Sequence, residues 1–328
     1  MNFGLLLATA TAALFMGAQA TRAAANFATI IDPLDAAGHT EANGIDNAGQ
    51  VVGMFLNGSG NAKGFSRSPG GAFTPVNVSG SAMTTASGVN GSGQITGFYS
   101  NGSGDGMHGY IQTGVTQSLF DVPAAAPAGA TYATGINASG AAVGYYIDSA
   151  NYTHGFCRSS GGSFTTLDAT GVGTVTSTRA FGVNNAGTIV GSFSDGTITH
   201  GFVKVASTYA VLDDPLGVYG TFATGINNVG DVVGYFVDAG GVTHGFVDFG
   251  GAAGGTNFIT IDTPAADTVT VVNGIDDWRV VVGYSVDTGG VFTGFTAEVP
   301  EPASLALFGL GSLGLVMLRR RRASAATV

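Results

Sequence analysis

The chain has 328 residues, enough for one large domain or two ordinary ones. Only 10% of it is charged, with 55 glycines, a single cysteine and a formal net charge of −10. These values argue against a coiled coil, a disulfide scaffold and a nucleic-acid binder. They also argue against disorder, since 45% of the residues are hydrophobic and can bury a core. A glycine-rich, all-β protein remains.

The first 25 residues are predicted to be a secretory signal peptide. An apolar segment from Phe3 to Ala18 is followed by small-residue cleavage sites that end at Ala20 and Ala25. That order is typical of a signal peptide, although the usual basic residues ahead of the apolar segment are missing. The alternative is a buried N-terminal helix, which leaves unexplained why the repeats begin only at Phe27.

Residues 26–298 contain six copies of one sequence repeat. Three short phrases mark each copy and recur about every 46 residues. The first phrase, Gly-(Ile/Val)-(Asn/Asp), begins at Gly44, Gly88, Gly135, Gly182, Gly225 and Gly274. The second, His-Gly-aromatic, contributes His108, His154, His200 and His244. The third ends an apolar run with an acid at Asp32, Asp121, Asp168, Asp213 and Asp262. Three landmarks that advance together indicate a true repeat.

Each unit is predicted to form four short strands, the first of which carries the acid of the third phrase. A type I turn joins the second strand to the third, as at Asn227–Gly230. Four strands in 40–50 residues are typical of a β-propeller, in which ring closure protects the sheet edges. The sequence therefore predicts an all-β, six-bladed β-propeller over residues 26–298. A β-solenoid is the alternative, but its repeats are usually shorter.

The repeats resemble the HAF family of extracellular repeats, at the position where this chain has His-Gly-Phe, as in His154–Phe156. The resemblance covers most of residues 27–298. It implies an extracellular repeat protein and no particular biochemical activity.

Residues 299–322 consist of three parts in a fixed order. They are Pro300, Glu301 and Pro302, then the apolar stretch Leu305–Leu318, and then Arg319, Arg320, Arg321 and Arg322. The stretch is predicted to be a short transmembrane helix, with the arginines holding residues 323–328 in the cytoplasm. This order resembles the PEP-CTERM sorting signal of Gram-negative bacteria, which an exosortase recognises. The resemblance implies export, transient anchoring in the inner membrane, and delivery to the cell surface or an exopolysaccharide matrix.

Removal of both ends would make the protein more acidic. Without Arg22, Glu301 and the four terminal arginines, six basic and 20 acidic residues remain, a net charge of −14. Such a surface repels nucleic acid and anionic membranes.

The repeated histidines could bind a metal or could make a structural hydrogen bond in every unit. Equivalent positions of successive blades are far apart except near the axis, so the structural role is favoured and no metal is expected. Asp148, Asp195, Asp238 and Asp287 follow the third predicted strand of four units, where calcium is a weaker alternative to a turn. Cys157 occupies a strand position and is expected to pack rather than react. We therefore expect no cofactor.

The leading hypothesis is a non-catalytic, monomeric surface or matrix protein that binds glycan or protein through propeller loops. The alternative is a secreted hydrolase or lyase that acts on polysaccharide. Glycoside hydrolysis needs a pair of carboxylates, and most acids in this chain keep the register of the repeat. Glu41 and Asp105 are the off-register candidates.

Overall fold

The computed structural model describes residues 26–102, 104–126, 130–253, 257–264 and 269–300. Its strands are β1 (Asn26–Ile30), β2 (Thr40–Ile45), β3 (Val51–Leu56), β4 (Ala62–Arg67), β5 (Phe73–Val76), β6 (Met83–Val89), β7 (Gln94–Ser100), β8 (His108–Thr113), β9 (Thr116–Phe120), β10 (Thr131–Ile136), β11 (Ala142–Ile147), β12 (Thr153–Arg158), β13 (Phe164–Leu167), β14 (Ser177–Val183), β15 (Ile189–Ser194), β16 (Thr199–Val205), β17 (Thr208–Val211), β18 (Gly220–Ile226), β19 (Val232–Val237), β20 (Thr243–Asp248), β21 (Phe258–Ile261), β22 (Val269–Ile275), β23 (Val280–Val286) and β24 (Phe292–Glu298). Within these ranges the one helical element is a 3-10 turn at Gly251–Ala253, and no helix could cross a membrane.

The strands form five sheets around a central axis. Four sheets have four strands each, namely β2–β5, β6–β9, β10–β13 and β14–β17. The fifth sheet has eight strands and combines β18–β21 with β22–β24 and β1. Its two halves are joined because Thr243, at the start of β20, pairs in parallel with Val269, at the start of β22.

This architecture confirms the all-β propeller and corrects the prediction of six separate four-stranded blades with a C-terminal transmembrane helix. There are four four-stranded blades, and the last two repeats share one sheet. The equivalent bridge between Met107 and Ala130 lies outside the strands, so the sheets at that junction stay separate. The predicted transmembrane helix at Leu305–Leu318 and the predicted signal peptide lie outside the described residues.

The N-terminal strand belongs to the sheet of the last repeat. β1 pairs antiparallel with β24 from Asn26 opposite Glu298 to Ile30 opposite Gly294. The strand that carries the acid is therefore the outer strand of the preceding sheet, rather than the first strand of its own. This pairing links the first and last repeats and closes the ring with backbone hydrogen bonds.

Six glycines line the narrowest part of the ring, one in the first strand of each repeat: Gly44, Gly88, Gly135, Gly182, Gly225 and Gly274. A Cβ atom added to any of them would lie 3.0–3.4 Å from the Cα atom of the next glycine around the ring. The inner strands can approach so closely only because these positions lack side chains.

Each first strand has a β-bulge just before its ring glycine, as between Ala133 and Gly135. The bulge turns the intervening residue towards the next repeat. Thr134 Oγ1 thus donates to Ala180 O (3.0 Å), and across the closure Asn273 Nδ2 donates to Ala42 O (3.0 Å).

The core lies between the sheets and explains the Gly-aromatic phrases. The aromatic residue of each third strand is buried: Phe65, Tyr110, Phe156, Phe202, Phe246 and Phe295. It covers a glycine in the second strand. A Cβ atom on Gly144, for example, would overlap Tyr132 O and lie 2.8 Å from the Phe156 ring. Glycine at this position is thus required by packing.

Candidate functional site: the mouth of the central channel

The channel has two ends, because all first strands run in the same direction along the axis. We call the end where these strands begin the mouth face, and the other end the opposite face. Loops between second and third strands, and the ends of the outer strands, also lie on the mouth face.

The mouth is a cavity of about 410 Å³ with an aromatic wall. Phe98, Tyr145, Tyr235 and Tyr284 come from the second strands of four repeats. The bulge residues of the first strands add a fifth aromatic, Phe181, and otherwise small polar groups. Tyr145 stacks on Tyr132 with ring centroids 4.6 Å apart, and Tyr235 stacks on Phe222 at 4.5 Å. This stacking fixes the rings before any ligand arrives.

The tyrosine hydroxyls at the mouth are neutral hydrogen-bonding groups at physiological pH. Burial raises the pKa of Tyr145 and that of Tyr235 to about 12. It also raises the pKa of Tyr284. Each hydroxyl therefore remains able to donate and to accept a hydrogen bond.

One carboxylate reaches the mouth. Glu41 is the only acidic residue among the described residues that line this cavity. Its Oε1 atom lies 2.8 Å from Nε2 of His39, whose ring stacks on Phe292 with centroids 3.8 Å apart. The stacked histidine holds the carboxylate in place.

Below the mouth the channel narrows at the glycine ring and reopens into a chamber of about 130 Å³ on the opposite face. Asparagines from the first hairpins line this chamber and bind one another around the ring. Asn90 Nδ2 donates to Asn137 O (2.8 Å), and Asn137 Nδ2 donates to Asn184 O (3.1 Å). These amides hold successive repeats together by hydrogen bonds.

The four repeated histidines each lie between two aspartates on the mouth face. Nδ1 of each faces the acid that follows the outer strand: 2.9 Å from His108 to Asp121, 2.8 Å from His154 to Asp168, 2.7 Å from His200 to Asp213 and 3.0 Å from His244 to Asp262. Nε2 faces a hairpin acid: Asp105 at 3.0 Å, Asp148 at 3.5 Å, Asp195 at 3.5 Å and Asp238 at 3.4 Å, in the same order. We call these four groups the His–Asp clusters.

Opposing effects set the pKa values in the His–Asp clusters. Burial lowers the pKa of His108, but hydrogen bonds to its two carboxylates outweigh burial and raise it above its usual value. The pKa of His200 is raised in the same way. The hairpin acid Asp238 has a lowered pKa, first because it accepts the Val242 N–H, with a contribution from His244.

A second cavity, of about 440 Å³, opens beside the fifth-repeat cluster. Pro215, Leu216 and Val218 form an apolar wall opposite His244 and its two aspartates. We call it the lateral pocket. Its wall is exposed, with 39% of Leu216 and 53% of Val218 accessible to solvent.

The geometry of the clusters is unsuited to a shared metal, because both imidazole nitrogens are directed at separate carboxylates. In the ranges that the structure covers, no group of three or more His, Cys, Asp or Glu side chains is arranged to hold a metal ion. Asp238 Oδ1 accepts the N–H groups of Gly240 and Val242, as a turn residue does. The roles assigned to the repeated glycines, histidines and aspartates stay predictions, as does the absence of a cofactor.

The two candidate catalytic acids are placed in different surroundings. Glu41 lies in the mouth. Asp105, expected to be off the register of the repeat, instead faces Nε2 of His108 from the hairpin position that Asp148, Asp195 and Asp238 take in the other clusters. Cys157 packs against the cluster that contains Phe202, and burial raises the pKa of its thiol.

The mouth aromatics were not predicted from the sequence. Tyr145 and Tyr146 are neighbours in β11, and the alternation of a strand places them on opposite sides. Tyr146 is buried in the core, while Tyr145 lines the mouth. The recurring Gly-aromatic pair in the second strand was the available signal, but only the packing of the sheets shows which aromatic reaches the channel.

Comparison with solved structures shows the fold. AofleA from Arthrobotrys oligospora superposes with a TM-score of 0.53 at 12% identity, over 82% of this chain and 86% of that chain. A variant of the Aleuria aurantia lectin AAL in complex with Fucα1-6GlcNAc gives 0.46 at 10% identity, over 80% and 93%. Trypanosoma rangeli sialidase in complex with 2,3-difluorosialic acid gives 0.47 at 9%, over 79% and 53%. At 12% identity, the similarity to AofleA shows the fold alone.

Comparison at the sequence level finds one feature. No curated protein matches the chain. The model of the PEP-CTERM protein-sorting motif matches residues 298–322, which confirms the sorting signal predicted at 299–322. The motif indicates a protein that is exported, processed by an exosortase and sorted to the cell surface.

Proposed function

We propose that the protein is a non-catalytic component of the cell surface or extracellular matrix that binds polysaccharide at the mouth of its channel. The observation that carries the proposal is the aromatic wall formed by Phe98, Tyr145, Tyr235 and Tyr284. The HAF-type character of the repeats forms part of this proposal.

A sugar ring has an apolar face of C–H groups and an edge of hydroxyls. The mouth supplies matching partners, because fixed aromatic faces stand beside the Tyr145 and Tyr235 hydroxyls, the Glu41 carboxylate and the bulge residues. Cavities of this size, with apolar walls and a few placed polar groups, are typical of ligand sites. Tyrosine is well suited to such a site, since it joins a large apolar surface to a polar tip.

Binding is favoured over hydrolysis by the count of acids in the mouth. Glycoside hydrolysis uses two carboxylates about 5–9.5 Å apart. Glu41 is the one carboxylate among the described residues of this cavity, and it is already held by His39.

The test is a glycan array followed by calorimetry on the chain from residue 26 to residue 300. Tyr235→Ala and Glu41→Gln should each weaken binding by at least about fivefold, as loss of a contact residue at a site centre does. Tyr152→Ala is the control, because Tyr152 is 60% exposed in a loop outside the mouth. Binding that survives both mouth variants, or the release of reducing ends from bound glycan, would contradict the proposal.

A further inference from the structure

We propose that the polysaccharide bound at the mouth carries free, protonated amino groups, as a de-N-acetylated hexosamine polymer does. This inference rests on the proposed function and adds the class of sugar. It is carried by the uneven distribution of charge between the two faces.

The mouth face holds most of the acid in the described ranges. Eight of its 13 acidic residues belong to the His–Asp clusters, and the others are Asp32, Asp35, Glu41, Asp214 and Asp287. Lys63 and Arg179 are its two basic residues. The opposite face has six acids against four basic residues, Arg67, Arg158, Lys204 and Arg279. The excess of negative charge therefore lies on the mouth face.

The two basic residues of the mouth face offset only two of its 13 acids. Lys63 Nζ donates to Ala82 O at 3.1 Å. The Arg179 guanidinium lies over the Tyr145 ring, 5.5 Å from its centroid. The clusters stay negative whether or not their histidines are protonated, because each has two carboxylates for one imidazole. A field of one sign around a cleft concentrates ligands of the opposite sign and repels those of the same sign.

Two features of the mouth suit an amine rather than a neutral sugar. The rings of Tyr235 and Tyr284 line the cavity and can attract an ammonium group by cation–π interaction. Glu41 supplies a carboxylate beside them. A polymer with many positive charges is attracted along its length by the acids of the mouth face. A uronic acid polymer would be repelled by the same groups.

The experiment compares three hexasaccharides by calorimetry at two salt concentrations: a glucosamine hexamer, its fully N-acetylated form and a galacturonic acid hexamer. The glucosamine hexamer should bind at least about tenfold more tightly than the others, and its affinity should fall as salt screens the field. A combined Asp148→Asn, Asp195→Asn and Asp238→Asn variant should lose most of that preference. Asparagine keeps the oxygen that accepts the turn N–H groups, so the loops should stay folded. Glu298→Gln, an exposed change on the opposite face, is the charge-matched control for one substitution.

The outcomes separate this inference from the proposed function. Equal or tighter binding of the acetylated or uronic acid hexamer would overturn the inference and leave polysaccharide binding intact. No binding of the glucosamine hexamer would also overturn it, whatever the array shows for other sugars. A preference that persists in Tyr235→Ala would place the amine outside the mouth and would equally contradict it.

Discussion

Asp248 on the opposite face offers a direct test of the electrostatics, through the substitution Asp248→Asn. The side chain is fully buried, its Oδ1 accepts the Asn257 N–H at 2.8 Å, and its Oδ2 has no partner among the described residues. Burial, helped by the charges of Asp214 and Asp231, raises its pKa from 3.8 to about 7. Between about pH 4 and pH 7, Asp248 is therefore protonated in the folded protein and ionised in the unfolded chain.

The sign and size of the effect follow from this difference. An acid with a raised pKa in the folded state makes unfolding easier as pH rises from about 4 to about 7. Each pKa unit corresponds to about 1.4 kcal/mol. The Asp248 charge therefore lowers the free energy of unfolding at pH 8 by about 2–4 kcal/mol, the lower figure applying if the site relaxes around the charge. Asparagine removes the charge and keeps the shape, so the variant should be more stable by that amount at pH 8 and similar to the parent at pH 4.

Urea unfolding of both proteins at pH 4 and pH 8 measures this change. Acids shared by both proteins cancel in the difference between their free energies of unfolding. Asp238→Asn is the control and should have the opposite effect, lowering the free energy of unfolding at pH 8. The lowered pKa of Asp238 means that its charge stabilises the fold at that pH. A difference between Asp248→Asn and the parent that does not change with pH would refute the reasoning.

Three further predictions concern the ring, the clusters and the tail. Gly135→Ala should abolish folding or strongly lower the melting temperature in a thermal scan, because the new Cβ would lie 2.7 Å from a backbone oxygen. Gly91→Ala is the control and should leave the melting temperature unchanged, because a Cβ at Gly91 would meet nothing within 4 Å. His154→Ala should cost about 1 kcal/mol through the lost hydrogen bond to Asp168, and native mass spectrometry should detect no metal lost with it; stoichiometric zinc or copper in the parent would disprove this. Changing Pro300–Pro302 to alanines should leave a precursor that keeps its arginines in a host with an exosortase, and intact mass spectrometry would count against the prediction if it found normal processing.

The repeat predicted the local structure well, because each phrase reflects a constraint repeated in every unit. Glycine at Gly135 and at its equivalents is required where inner strands approach, and the second-strand glycine under each buried aromatic, such as Gly144 under Phe156, is required by packing. Such constraints act between fixed positions of the unit, so they are visible in the spacing of residues. The sorting motif was equally visible, because its three parts follow one another in the chain.

Features that depend on contacts between units could not be predicted. The repeated motifs do not show which strands pair to close the ring, so the pairing of β1 with β24 was not evident. The fusion of the last two repeats into one sheet depends on a single pair, Thr243 and Val269. The mouth likewise depends on how the sheets are tilted around the axis, which decides that Tyr145 rather than Tyr146 reaches the channel.

The most direct test of the central claim is a crystal structure of residues 26–300 with a bound oligosaccharide chosen from the array. We expect a sugar ring against the aromatic wall of the mouth, with hydroxyl or amino groups within hydrogen-bond distance of Glu41 and the Tyr235 hydroxyl. An oligosaccharide held in the lateral pocket or on the opposite face, with the mouth empty, would contradict it.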